Sequence, residues 1–225
     1  MRETETATDG GEEPVRKRLG VYVFDGAEVI DFTGPMGVFA VAQRMDPELD
    51  AFLLGESAAP VHTTAGMSVT PRYTLDGGPD VDAFLIPGGI GTRREMHNAR
   101  LHDYVGGLPP ETLLVSVCTG SWVYATAGLL DGLPATNRKH GDPTEALVPI
   151  ERLAQIAPDV EVDEHRVVDT GRILTAGGIS SGIEMGLHLL SRFGHDEEFV
   201  DEVAYVMEYD RQWDLTKEDV LVTGE

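Results

Sequence analysis

Three short segments of this chain carry residue types that could share one reaction: a lone cysteine, a glycine pair and an aspartate. Cys118 is the only cysteine among 225 residues, and it stands where an apolar run, Leu113 to Val117, meets a small-residue helical stretch, Thr119 to Ala125. A strand-to-helix turn there aims the sulfur out of a sheet, beside backbone N–H groups and the positive end of a helix dipole, which favour the thiolate. A free cysteine is also a small hydrophobe common in core strands, and the segment alone allows both readings. Gly88 and Gly89 follow a second apolar run, Asp82 to Ile86. Backbone without Cβ atoms lets a substrate come close, so these N–H groups, with that of Thr119, could stabilise developing negative charge. Such a pair also makes an ordinary tight turn. Asp31 lies beyond a third apolar run, Leu19 to Phe24. An acid ending a strand near the sulfur can have a raised pKa and stay protonated as a proton donor, the two groups titrating as a coupled pair. Its alternative role is a cap, accepting N–H bonds at the start of a helix opened by Gly34 and Pro35.

The remaining candidates read more plainly. Asp25 and Glu28 read as solvated loop acids. The seven histidines show no metal-ligand spacing, so no metal is expected. His188 sits among apolar residues of a helix and reads as a satisfied core or interface group, while His140 is the histidine placed best to approach Cys118. Arg93 and Arg94 read as loop salt-bridge residues, and Trp122 and Tyr124 as packing groups. Neither Gly88 to Gly91 nor Gly177 to Ile179 has the spacing of a dinucleotide or P-loop fingerprint.

These segments need a scaffold, and the hydrophobic pattern supplies one. Leu19 to Phe24, Ala51 to Leu54, Asp82 to Ile86 and Leu113 to Val117 read as buried strands. Val61 to Leu75 suggests a hairpin or short paired strands, and Val167-Val168 and Ile173 to Thr175 frame Gly171. Between them, Val38, Phe39, Val41 and Ala42, then Ile183, Leu187 and Leu190, and last Phe199, Val203, Val206 and Met207 recur at helical spacing. Strands alternating with helices predict an α/β fold with a mostly parallel central sheet covered by helices on both faces. Chemistry in such sheets belongs at the carboxyl ends of the strands, where all three segments fall.

Composition bounds the rest. The chain carries 39 Asp and Glu against 17 Lys and Arg, a formal net charge of −22, with only three lysines. That balance repels nucleic acid and anionic lipid, so neither is an expected partner. Acidic, lysine-poor surfaces of this kind resemble those of proteins from salt-loving organisms, and stability is expected to depend on salt. With one cysteine, no apolar span long enough for a bilayer and no export signal, the expectation is a cytoplasmic protein. Residues 1–17 hold almost no large apolar groups and read as a disordered acidic tail. Residues 18–213 read as one domain, and 214–225 as a polar C-terminal tail in which Val220, Leu221 and Val222 could dock.

Taken together, Cys118-Thr119-Gly120-Ser121, Ala127 to Gly132, Asp31 to Pro35 and Ile86 to Gly89 resemble the DJ-1/PfpI superfamily, most closely its isonitrile hydratase-like branch. The resemblance implies a flavodoxin-like α/β sandwich, usually a homodimer, without metal or organic cofactor and acting on a small-molecule substrate. It implies Cys118 as nucleophile, Asp31 as the acid near the sulfur, Thr119 as a substrate-facing position and Gly89 as the opposing backbone donor. The chain departs from protease and amidotransferase relatives in having Thr119, not histidine, after the nucleophile. It also reads Ala135-Thr136-Asn137-Arg138-Lys139-His140 where isonitrile hydratase relatives often have Thr-Thr-His-Trp, so Asn137 and the flanking cations are expected to reshape the pocket. The implied activity is conversion of an isonitrile and water to an N-substituted formamide. The alternatives are glyoxalase or deglycase chemistry, against which the missing adjacent histidine counts, and a non-enzymatic redox or ligand sensor using Cys118.

Overall fold

The order of strands in the sheet explains why the three segments meet. A computed structural model describes residues 16–143 and 145–224. In chain order it contains β1 (Lys17–Tyr22), α1 (Val29–Ala42), β2 (Leu49–Gly55), β3 (Val61–His62), β4 (Ser68–Val69), β5 (Tyr73–Thr74), β6 (Ala83–Ile86), α2 (Thr92–Glu95) and α3 (Ala99–Gly107). There follow β7 (Leu113–Val117), α4 (Ser121–Thr126), β8 (Pro134–Ala135), α5 (Pro149–Ile156), β9 (Glu161–Val162), β10 (Val167–Asp169), β11 (Ile173–Ala176), α6 (Ser181–Arg192), α7 (Glu197–Val206), α8 (Asp210–Thr216) and β12 (Val220–Val222). Among the described residues the main sheet has eight strands in the order β12-β10-β11-β7-β6-β1-β2-β5. Its pairings are parallel except β10 with β11, so the expected α/β sandwich with a mostly parallel sheet is what forms.

The central strands are apolar on both faces because both are covered: Ala83 to Ile86 and Leu114, Val115 and Val117 have 0% exposure. On one side α1, α6 and α7 pack together, and α4 joins α2 and α5 in a separate group. Strand β1 pairs with β2 on one side and β6 on the other, so the chain leaves the sheet centre in both directions. The crevice at the carboxyl ends of strands that diverge in this way is the natural ligand position.

Three expectations are corrected. Helix α1 begins at Val29, five residues before the expected Gly34, and carries Pro35 in its interior. Asp31 therefore lies in the first helical turn and does not end a strand, and the cap is Glu28, whose side chain accepts from the Val29 N–H. Phe199 to Val206 is not the last helix, since α8 follows, and Val206 is 42% exposed. The segment read as a polar C-terminal tail is built into the body: Thr216 is buried, and Val220 to Val222 pair with Val167 to Asp169 as an edge strand. Of the expected N-terminal tail, residues 1–15 lie outside the described residues, and Lys17 already belongs to β1. No helix among the described residues is long and apolar enough to cross a membrane.

Candidate active site

Cys118 follows β7 directly and has φ 57°, a left-handed backbone that an L-residue adopts only under constraint. The constraint is visible on both sides. The Cys118 N–H donates to the Gly177 carbonyl at 2.9 Å. Two residues on, a Cβ at Gly120 would stand 2.1 Å from the Ile86 carbonyl oxygen, so only glycine lets this elbow close onto the end of β6.

Asp31 reaches the elbow from α1. The loop before the helix is tied to the turn after β6, with the Glu28 N–H donating to the Gly88 carbonyl at 2.9 Å. The Gly88 N–H returns a bond to Asp31 Oδ2, also at 2.9 Å. Gly88 must be glycine here, because its Cβ would lie 2.7 Å from the Thr119 nitrogen and 2.8 Å from Asp31 Oδ2. The Cys118 thiol lies against the carboxyl closely enough for each group to shift the other's protonation. Asp31 Oδ1 is buried and has no hydrogen-bond partner among the described residues.

Burial dominates the electrostatics. It pushes Asp31 from its ordinary 3.8 up to about 8, opposed by the Gly88 N–H and assisted by the nearby Glu28 charge. Burial first, and then Asp31, push the Cys118 thiol up, while the Thr119 N–H and Arg138 pull it down. The expected thiolate preference is therefore corrected. One N–H group and a cation do face the sulfur, but loss of water around a residue with 4% exposure outweighs them. At neutral pH the pair holds its protons.

The glycine N–H groups expected to meet negative charge are already engaged. Gly88 is bound to Asp31, and the Gly89 N–H donates to Thr119 Oγ1 at 3.2 Å. Thr119 Oγ1 also lies 2.7 Å from Thr92 Oγ1, and the Thr92 hydroxyl donates in turn to the Gly89 carbonyl. The two glycines thus fix the acid and the threonine. Asn137 is fully buried, donates from Nδ2 to Ser121 Oγ at 2.8 Å and accepts from the Arg138 N–H. It braces the elbow helix and Arg138 and does not line the cavity.

Above Cys118 opens a cavity of about 610 Å³. It is lined by Cys118, Thr119 and Gly89, by the apolar Ile90, Trp122, Leu147 and Ile179, and by the cationic Arg93, Arg138 and Arg152. Glu28, expected as a solvated loop acid, instead caps α1 and lines this cavity. Trp122 does pack, at 1% exposure, yet it also faces the cavity beneath the Arg93 guanidinium, 5.3 Å from its ring centroid. Arg93 is the salt-bridge residue expected, bound to Glu145 Oε1 at 3.2 Å, and a cavity residue as well. His140 is exposed and absent from the cavity wall, which among the described residues contains no histidine. His188 is satisfied by Asp169, 2.8 Å from Nε2. No group of His, Cys, Asp and Glu among the described residues could hold a metal ion.

An acid and a thiol sharing protons under a cavity, on an elbow at the carboxyl edge of a flavodoxin-like sheet, define an α/β protein of the cysteine-elbow class. Residues 17–192 match the DJ-1/PfpI family, and the chain belongs to it. The chain is 31% identical to isonitrile hydratase of Pseudomonas putida over 176 residues, covering 76% of this chain and 70% of that protein. It is 28% identical over 151 residues to the HTH-type transcriptional regulator GbdR of Pseudomonas aeruginosa, covering 67% of this chain but only 39% of the regulator. Among solved structures, a ThiJ/PfpI family protein from Pseudomonas syringae shares the fold with a TM-score of 0.73, at 24% identity over 93% of this chain and 82% of that one.

Proposed function

We propose that this protein adds water to an isonitrile, giving an N-substituted formamide, with Cys118 as nucleophile and Asp31 as proton relay. The observation that carries the reading is the buried Asp31 carboxyl. One oxygen is held by Gly88, the other is unpartnered, and the thiol lies against the carboxyl at the foot of the cavity. A terminal isonitrile carbon requires a nucleophile and a proton at one atom, and a protonated acid beside a thiol offers both. Similarity to isonitrile hydratase over most of both chains supports the same reaction.

The chemistry balances without a further reagent. Cys118 Sγ bonds to the isonitrile carbon while Asp31 delivers its proton to that carbon and receives the thiol proton, leaving the thioimidate R–N=CH–S–Cys118. Water then adds across the C=N bond, its oxygen joining the carbon and a proton reaching nitrogen through Asp31. The C–S bond breaks, the hydroxyl proton passes to sulfur, and R–NH–CHO leaves with the thiol restored. The Thr119 N–H steadies charge on sulfur, Gly88 and Gly89 hold the acid and the threonine, and Asn137 acts at one remove through Ser121 and Arg138. The homodimer implied by the resemblance belongs to the same proposal, and sedimentation velocity at the assay salt reads it.

Similarity to the regulator favours a second reading, a ligand-sensing domain without turnover. Glyoxalase-type chemistry has less support, since no histidine lines the cavity among the described residues. Proton NMR of the folded protein with a small alkyl isonitrile in concentrated potassium chloride separates the readings. Formamide from wild type and none from Cys118→Ala supports the hydratase. No formamide from folded wild type overturns it, and stoichiometric sulfinate at Cys118 after mild peroxide, without turnover, favours the sensor.

A further inference from the structure

The cavity wall holds more cationic hydrogen-bonding capacity than the protein itself uses. Arg93 and Arg138 divide a single carboxylate, Glu145, through Oε1 at 3.2 Å and Oε2 at 2.5 Å. Arg138 Nε is buried and has no hydrogen-bond partner among the described residues. Arg152 lines the same cavity, and its side chain has no ion-pair or hydrogen-bond partner among the described residues. The two arginines are structurally linked, because the Ile150 N–H, two residues before Arg152, donates to the Arg138 carbonyl at 3.1 Å. In a chain with 39 acids and 17 basic residues, an unpaired arginine at a cavity wall is not explained by a shortage of acids. Of the other acids lining the cavity, Glu28 spends an oxygen on the Val29 N–H at the head of α1, and Asp142 has an interaction of its own. The same cavity is lined by the apolar Ile90, Leu147 and Ile179, with Trp122 beneath the Arg93 guanidinium.

We propose that the ligand of this cavity carries a carboxylate, held by Arg152 beside the Arg138 guanidinium, while its apolar stem lies along Ile90 and Ile179 toward Cys118. Guanidinium groups match carboxylate geometry and bind it through charge-assisted hydrogen bonds. The identity of the reacting group rests on the hydratase reading; the carboxylate does not.

The test therefore measures binding without turnover. Isothermal titration of the wild-type protein, at one fixed salt concentration, compares N-formylleucine with its methyl ester. The acid is expected to bind about tenfold more tightly than the ester, the size of one charge-assisted hydrogen bond. In Arg152→Gln, an exposed helical position, and in Arg138→Gln, each confirmed as folded by circular dichroism, the acid-to-ester ratio falls toward one. Equal affinity for acid and ester in wild type, binding of neither, or a ratio that survives both substitutions overturns the proposal. Those results leave the hydratase reading to its own assay. Conversely, absence of formamide there leaves a measured carboxylate preference standing.

Discussion

Asp31 and Asp169 are aspartates of nearly equal burial, at 0% and 1% exposure, and the protein treats them in opposite ways. Asp169 is saturated: Arg192 Nη1 lies 2.5 Å from both oxygens, His188 Nε2 2.8 Å from Oδ2 and the Gly171 nitrogen 2.9 Å from Oδ1. Burial pushes it up, but His188, Arg192 and that N–H together hold it below the ordinary carboxylate range. Asp31 receives one N–H bond and no cation in contact, so burial prevails and it stays protonated. A carboxylate closed off with its partners ties β10 to α6. One closed off without them, beside a thiol and under a cavity, is held ready to give up a proton.

The largest effect expected at either site is on turnover. Cys118→Ala lowers the rate of formamide formation by more than about three orders of magnitude and leaves the melting temperature within a few degrees of wild type. The crossed pair of aspartate substitutions comes next. Asp31→Asn costs about 10²–10⁴-fold in kcat/KM and leaves urea stability unchanged or improved, since the amide keeps an oxygen for the Gly88 N–H and a buried ionisable group is removed. Asp169→Asn does the reverse, costing about 3 kcal/mol of stability while the folded fraction retains its activity. Loss of activity in the second without unfolding, or loss of stability in the first, breaks the contrast.

Their pH dependences differ in sign. With its folded pKa raised, Asp31 contributes stability that is fully present below its unfolded value near 3.8 and is lost progressively as pH rises to about 8. With its folded pKa lowered, Asp169 contributes stability present above its unfolded value and lost as pH falls through the folded one. Denaturation curves across pH therefore lose the decline between about 4 and 8 in Asp31→Asn, and lose part of the acid-side decline in Asp169→Asn. The rate profile of wild type falls above about pH 8 as the relay proton is lost. The smallest expected effect is that of Glu28→Gln. Removing a charge that helps to hold Asp31 protonated moves the alkaline limb of that profile to lower pH and leaves stability near neutrality unchanged.

Local signals made much of this legible in the sequence. The elbow shows because an apolar run ends at a lone cysteine followed by small residues, and the Pro87-Gly88-Gly89 turn because it ends a buried strand. The start of α1 was hidden by Pro35, which normally opens a helix but here sits inside one. That concealment also hid the cap at Glu28 and its place in the cavity. The direction of the Gly88 and Gly89 N–H groups, and the weight of burial over dipole at Cys118, depend on contacts from distant segments that no local pattern encodes. Arg152 illustrates the same limit, since only the packing of α5 beside the cavity distinguishes it from a surface cation.

The central claim, that Asp31 is kept protonated at neutral pH, is tested most directly by carbon NMR titration of protein labelled at the aspartate carboxyl carbon, with Asp31→Asn to assign the signal. The account predicts one carboxyl resonance, absent in the variant, in its protonated position at pH 7 and titrating near pH 8. An Asp31 resonance already in the ionised position at pH 7 and titrating near 3.8 would contradict it.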